Sequence, residues 1–180
     1  MVHDIVTYGK EVLRHKAKPV PAVTKEILSL VRDMLETMHA ARGVGVAAEQ
    51  IGREESVCVI DVPVDFEKPE CVAANALIPM PLVMLNPVIG ATSGQQRNEE
   101  GCLSFPDISV PITRPLQATV TYMDLDGKTQ TATAQGLLAR AILHETDHLH
   151  GVLLVDRMSA MQRLSVAGKL KRLQAESKES

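Results

Sequence analysis

The string HETDH at residues 144–148 constrains this chain more than any other feature, because it lies in a segment with the apolar spacing of a helix. On a helix, side chains four residues apart project from the same face. His144 and His148 can therefore bind one metal ion, with Glu145 beside them to act on a proton. We predict a helix over residues 135–150, and the arrangement is typical of a metal-dependent hydrolase.

The residues around this histidine pair predict a buried site. Apolar side chains surround the two histidines on the helix: Leu138, Ala141, Ile142 and Leu149. A buried imidazole needs a partner, since an unpaired polar group in the interior is costly. Two explanations stay open at this point, a bound metal ion or two histidines that are hydrogen-bonded within the core.

A catalytic site of this kind also needs a third protein ligand and an open position for water. In thermolysin-type enzymes the third ligand is a glutamate later in the chain. Here few carboxylates follow the motif: Asp156, Glu176 and Glu179. Upstream, Cys102 offers a thiolate, which suits a soft or borderline cation. Cys58 and Cys71 have no histidine or acid at ligand spacing, and we interpret them as plain thiols.

Composition excludes several other classes of protein. Of the 180 residues, 45% are hydrophobic, and 19 basic against 22 acidic residues leave a net charge of −3, which disfavours a DNA-binding surface. No stretch reaches the ~20 apolar residues of a membrane span, and the first residues are too charged for a signal peptide. The three cysteines form a sparse, odd set, so we expect a cytoplasmic protein in a reducing compartment.

Hydrophobic periodicity predicts further elements on both sides of the site. A helix capped by Thr24 ends at Gly43, and strands are expected over residues 56–62 and 82–89, joined by a proline-containing connection over 63–81.

The last third of the chain contains a predicted hairpin and a predicted terminal helix. The segment 116–134 alternates around Asp126-Gly127, and a final helix is expected over about 159–175, before the polar tail AESKES. Together the elements predict an α+β fold, with small mixed or antiparallel sheets around a central helix that carries the H-E-x-x-H motif.

Three motifs in this order resemble the peptide deformylase family: GVGVAAEQIG at 43–52, EGCLSFP at 100–106 and HETDHLHG at 144–151. The resemblance implies a deformylase-like catalytic domain over residues 1–160, followed by a C-terminal helix and polar tail over 161–180. It also implies a hydrolase that removes the N-formyl group from the initiator methionine of nascent chains and releases formate.

The resemblance also implies roles for individual residues. Cys102, His144 and His148 would be the metal ligands and Glu145 the general acid and base, whereas Gln50 and the Leu103 N–H would form the oxyanion hole. The family favours iron(II) as the one divalent ion, while zinc, nickel and cobalt stay open because the ligand set suits all of them.

For the substrate, an N-formylmethionyl peptide, the resemblance points to the glycine-rich segment. Gly45 would let the peptide run along the backbone as an added strand. We expect Val44, Leu138 and Ala141 to line a pocket for the methionine side chain.

Two charged residues and two departures from the family complete the expected site. Glu100 and Arg114 are spaced as an ion pair that braces the cysteine loop in the family, although two solvated charges would also explain them. Leu143 stands where relatives usually have glutamine, and Ser109 where many have an aromatic residue, so a contact near the helix and the substrate rim are expected to differ.

Other functions remain open from the sequence. Gly43, Gly45 and Ala48 loosely imitate a dinucleotide-binding turn, but that turn follows a strand and opens a helix, whereas this segment follows a helix. A zinc endopeptidase and a structural metal domain with a closed site are the alternatives for the histidine motif.

The C-terminal stretch carries five basic residues: Arg157, Arg163, Lys169, Lys171 and Arg172. It would either contact ribosomal RNA or form a solvated helix face.

Overall fold

Residues 1–179, the part of the chain that the computed structural model describes, form six α-helices and seven β-strands. The helices are α1 (Lys25–Ala40), α2 (Pro69–Ala74), α3 (Gly136–Leu149), α4 (Leu154–Arg157), α5 (Ala160–Ser165) and α6 (Ala167–Glu179). The strands are β1 (Gly45–Ala47), β2 (Val57–Ile60), β3 (Leu82–Ser93), β4 (Gln96–Gly101), β5 (Ser109–Arg114), β6 (Gln117–Met123) and β7 (Thr129–Gln135). Short 3₁₀ helices occur at Glu11–Arg14, Ala48–Ile51 and Val64–Phe66. The predicted α+β class is confirmed.

The strands form two antiparallel sheets. A five-stranded sheet has the order β1-β2-β3-β6-β7, and β4 pairs with β5 in a separate two-stranded sheet. The β6–β7 hairpin turns at Asp126-Gly127, as predicted, and Gly127 has the positive φ of 77° that such a turn requires. Because β4 ends immediately before Cys102, the small sheet positions this thiol near α3.

The large sheet is covered on both faces near β2, and this burial explains the apolar run of that strand. Cys58 and Ile60 pack in the cluster that includes α3, whereas Val57 and Val59 pack in the cluster that includes α1. All four side chains are fully buried. Alternate residues of one strand therefore fix the positions of both helices.

Among residues 1–179, no helix is long and apolar enough to cross a bilayer.

Several predicted elements are confirmed, with changed ends. Thr24 caps α1 by accepting from the Ile27 N–H, and α3 lies within the predicted range. Before Gly43, however, α1 has already ended, because Arg42 adopts a positive φ of 56°. The strand predicted over 82–89 continues as β3 to Ser93.

Other expectations were incomplete. The connection over 63–81 contains the 3₁₀ helix Val64–Phe66 and α2, with Pro69 as the first residue of that helix. The single helix expected over about 159–175 is two helices, which meet at Val166. Most of the tail AESKES extends α6, and its last residue, Ser180, lies outside the described residues.

Candidate active site

Three side chains bring potential metal-ligating atoms together in the interior. Cys102, His144 and His148 each contribute one such atom, and these atoms all lie within 4.8 Å of one another. The Cys102 Sγ atom is 3.3 Å from His148 Nε2. One thiolate and two imidazoles suit a divalent transition metal, and three protein ligands leave a position for water. The two histidines are buried and Cys102 is partly buried, and the convergence of the three ligand atoms fits a single ion.

Glu100 orients the first of these histidines. Its carboxylate lies 2.9 Å from His144 Nδ1, so the other ring nitrogen is left for a metal ion. Arg114 donates two hydrogen bonds to Glu100, at 3.0 and 2.7 Å, and Arg140 donates a third at 2.8 Å. Burial alone would raise the pKa of Glu100, but the hydrogen bonds from His144 and Arg114 outweigh it and hold that pKa well below its usual range.

The predicted pairing of Glu100 with Arg114 is therefore present, and both side chains are buried, which excludes two solvated charges. Arg114 also donates to Asp147 at 2.7 Å, so the second acidic residue of the HETDH string supports the network and lies away from the ligand atoms. Arg140 was missed by sequence reasoning. An arginine in the apolar stretch LLARAIL, one helical turn before His144, was the available signal.

Glu145 lies in a different environment, although it is adjacent to His144 in sequence. The residue is 4% exposed, and its Oε2 atom has no hydrogen-bond partner among the described residues. Burial raises its pKa to about 7. A carboxyl group with this pKa can both accept and return a proton near neutral pH.

Gly45 makes room for this carboxyl group. A side-chain carbon at Gly45 would lie 2.6 Å from Glu145 Oε1, which is closer than such atoms approach in proteins. The glycine expected to contact the substrate therefore also permits the position of the proposed acid–base residue.

Two potential hydrogen-bond donors face the ligand cluster. Gln50 is held by the Ala47 N–H, which donates to its Oε1 at 3.0 Å, and by Ser104, which accepts from its Nε2 at 3.1 Å. Nε2 is also 3.5 Å from Cys102 Sγ. The Leu103 N–H has no acceptor within residues 1–179, and Leu103 lines the same cavity as Gln50. An amide side chain and a free backbone N–H are the donors that an oxyanion hole needs.

A cavity of about 350 Å³ opens onto these groups. Its apolar side includes Val44, Leu137 and Ala141, and its polar side includes His144 and Glu145. Of the three residues predicted to line the cavity, Val44 and Ala141 do so and Leu138 does not.

Leu138, predicted to line this cavity, borders a neighbouring cavity and is buried against the large sheet. Residues 137, 141 and 144 share one face of α3 by helical spacing, and residue 138 is turned about 100° from them.

The two departures from the family pattern lie outside the ligand cluster. Leu143 packs, partly buried, against the core beneath the large sheet. The Ser109 hydroxyl donates to Glu99 at 2.9 Å, and Glu99 lines the cavity. Ser109 therefore influences the rim through a neighbouring carboxylate.

A thiolate–imidazole ligand cluster, a carboxyl group with a pKa near 7 and an adjoining cavity define the site of a metal-dependent hydrolase. The family model for polypeptide deformylase matches residues 2–164 of the chain. The chain therefore belongs to the peptide deformylase family, and its activity is the removal of the N-formyl group from nascent polypeptides.

Individual relatives agree in sequence. The chain is 46% identical over 170 residues to a peptide deformylase of Synechococcus sp. (strain RCC307), covering 94% of this chain and 79% of the relative. It is 42% identical over 171 residues to that of Nitrosococcus oceani, covering 95% of both chains.

Solved structures agree in fold. The peptide deformylase of Ehrlichia chaffeensis matches with a TM-score of 0.86 and 36% identity, covering 98% of both chains. That of Thermus thermophilus matches with a TM-score of 0.84 and 35% identity, over 98% of this chain and 99% of that one.

Proposed function

We propose that Cys102, His144 and His148 hold one divalent metal ion, iron(II), and that the neighbouring residues use it to hydrolyse the formyl group of N-formylmethionyl peptides. The convergence of three ligand atoms beside the cavity, two from buried histidines and one from the partly buried Cys102, is the observation that carries this proposal. The donor set also suits zinc, nickel and cobalt, and family resemblance favours iron.

A bound divalent cation supplies Lewis acidity, which lowers the pKa of water and polarises the formyl carbonyl. Glu145 accepts the proton of the attacking water and later delivers it to the leaving amine, as its pKa of about 7 permits. Gln50 Nε2 and the Leu103 N–H donate hydrogen bonds to the oxyanion of the tetrahedral intermediate. Glu100, fixed by Arg114, keeps His144 in the orientation that binds the ion.

The cavity accommodates the first residue of the peptide. The backbone at Val44 and Gly45 pairs with the substrate as an added strand, and Ala141 contacts the methionine side chain, with Leu137 in the place expected for Leu138. The catalytic unit occupies residues 1–160, and the remaining residues, which include most of α5 and all of α6, form a C-terminal extension.

Metal reconstitution tests the iron assignment. Metal-free protein is loaded anaerobically with iron(II), zinc, nickel or cobalt, and formate release from a formyl-Met-Ala-Ser peptide is measured with the bound metal quantified. We expect iron(II) to give the highest kcat/KM. Equal or greater turnover with zinc would overturn the iron assignment, and casein cleavage without formate release would favour an endopeptidase.

We also propose a cytoplasmic protein that meets nascent chains at the ribosome through its C-terminal basic residues. Three of these residues have partners within the chain, because Arg157 bonds Asp147, and Arg163 and Lys169 donate to backbone carbonyls. Lys171 and Arg172 on α6 are exposed and therefore carry this proposal.

The ribosome test uses charge reversal, since Leu173 and Ser177 of the same helix are buried and a truncation would disturb the fold. The variant K171E/R172E should sediment less with ribosomes and keep its activity on short peptides. Unchanged sedimentation would dismiss the contact.

A further inference from the structure

Phe66 lies at the wall of the cavity and is also largely exposed. Its side chain lines the cavity that opens onto the ligand cluster, yet the residue is 66% exposed. The chain has only four aromatic residues, and the other three lie elsewhere: Tyr8 stacks on Phe105, and Tyr122 is buried in the large sheet. An exposed aromatic ring at a cavity wall offers a large apolar surface for a ligand to cover.

The backbone that carries this ring is anchored to the catalytic helix. Phe66 ends the 3₁₀ helix Val64–Phe66, and the next residue, Glu67, caps α3: its two carboxylate oxygens accept from the Leu137 and Leu138 N–H groups, each at 3.0 Å. A carboxylate is favourable at this position because the N-terminus of a helix carries partial positive charge.

A second contact holds the same segment. Asn75 exchanges two hydrogen bonds with the Gln135 backbone, at 3.0 and 2.8 Å, at the residue that precedes α3. The segment 63–81 is therefore fixed to the helix that carries His144 and His148, and the ring has a defined position relative to the ligands.

The cavity wall next to Phe66 is apolar. Glu67 bonds the backbone of Leu137, and Leu137, Ala141 and Val44 line the same cavity. The first residue of the substrate, methionine, has a flexible side chain with a polarizable sulfur, which makes favourable contacts with aromatic rings.

We propose that Phe66 is a specificity-determining residue, whose ring forms the outer wall of the methionine pocket and packs against the thioether of the substrate. The proposal rests on the deformylase function of this cavity. It assigns to the segment 63–81, which the sequence predicted only as a connection, a direct part in choosing the first residue of the peptide.

The test is a substrate matrix on the metal-loaded full chain. Formyl-Met-Ala-Ser, formyl-Ala-Ala-Ser and formyl-Met-Phe-Ser are hydrolysed by wild type and by the variants F66A, F66L and V64A. Val64 is a matched control, because it lies in the same 3₁₀ helix and is 67% exposed but does not line this cavity.

We expect F66A to lower kcat/KM about fivefold to tenfold for both formyl-Met peptides, mainly through KM, as for lost side-chain packing. The loss for the formyl-Ala peptide should stay below about twofold, since alanine does not reach the ring. F66L should lie between F66A and wild type, and V64A should match wild type.

Three results would overturn the proposal: equal losses for formyl-Met and formyl-Ala peptides, a loss that depends on the second residue, or an equal loss in V64A. Thermal unfolding of each variant identifies a folding defect, which would reduce activity on all three peptides alike. A wild-type protein that releases no formate from any peptide would instead contradict the deformylase function itself.

Discussion

Glu100 and Glu145 lie on two sides of one site, and both residues are buried, yet their surroundings give them opposite proton affinities. Glu100 accepts hydrogen bonds from two guanidinium groups, those of Arg114 and Arg140, and pairs with His144. Glu145 lies against Gly45, and one of its oxygens has no partner among residues 1–179. The pKa of Glu100 is therefore held far below its usual range, while burial raises that of Glu145 to about 7.

The difference assigns a role to each carboxyl group. A carboxylate held by two arginines stays ionised at neutral pH, so it can orient an imidazole but cannot carry a proton during a reaction. A buried carboxyl group with a pKa near 7 can do so. Pairs of titratable groups with opposed environments are typical of acid–base sites.

We expect the largest effect from the substitution E145Q, which removes the carboxyl group proposed to carry the proton and keeps the size and shape of the side chain. We expect kcat to fall by roughly 10² to 10⁴, with the bound metal unchanged at one ion per chain. The measurements are formate release and metal quantification. Glu99 provides a control, because it lines the same cavity but is exposed, and E99Q should keep most of the activity. Turnover retained in E145Q would refute the assigned base.

A second substitution tests the donor side of the site. Replacing Gln50 with alanine should lower kcat by roughly 10² to 10³, because one oxyanion donor is lost, and should change KM little. Steady-state kinetics with formyl-Met-Ala-Ser measures both values. A large rise in KM at constant kcat would show that Gln50 contributes ordinary substrate binding.

The substitution E100Q tests whether Glu100 supports metal binding by orienting His144. Glutamine keeps an acceptor for His144 but loses the charge that Arg114 and Arg140 pair with, so metal affinity should fall roughly tenfold to 100-fold. Metal titration measures the affinity, and excess metal should restore most of kcat in folded protein. A permanent loss of kcat at full metal occupancy would assign Glu100 a part in the chemistry.

A third buried carboxyl group, that of Glu49 next to Gln50, affects the stability of the folded protein. It is 1% exposed, both carboxylate oxygens lack partners among the described residues, and burial raises its pKa to about 8. In the unfolded chain this group ionises near 4.5. Between these values the folded protein binds more protons than the unfolded chain, so stability falls as the pH rises through the interval.

The substitution E49Q should remove the part of this loss that Glu49 causes. From Glu49 alone we expect wild type to lose about 2 kcal/mol of unfolding free energy between pH 6 and pH 8, and the variant should lose that much less, while the contribution of Glu145 remains in both proteins. Urea denaturation at both pH values provides the measurement. Parallel pH profiles for the two proteins would show that Glu49 ionises near its ordinary pKa.

The central helix and its candidate metal ligands were predictable because their signals are local. His144 and His148 share a helix face by spacing alone, and Cys102 followed from the need for a third ligand together with the family motif. The separate sheet of β4 and β5 was not predicted, since the strand QRNEEG lacks apolar alternation and its one buried side chain is Glu100.

Long-range contacts account for the other omissions. Arg140 is buried because it pairs with Glu100, forty positions away, and periodicity cannot reveal such a partner. Glu67 caps α3 from a separate segment, so neither its role nor the position of Phe66 follows from local sequence. Whether Leu137 or Leu138 lines the cavity depends on how α3 is rotated against the large sheet, which local sequence does not show.

The most direct test of the account compares wild type with C102A, both purified anaerobically. Formate release from formyl-Met-Ala-Ser and the metal content per chain are measured on the same samples. We expect one metal ion per chain and rapid formate release for wild type, and loss of both in folded C102A. Full metal content and turnover in C102A, or a metal-loaded wild type that releases no formate, would contradict it.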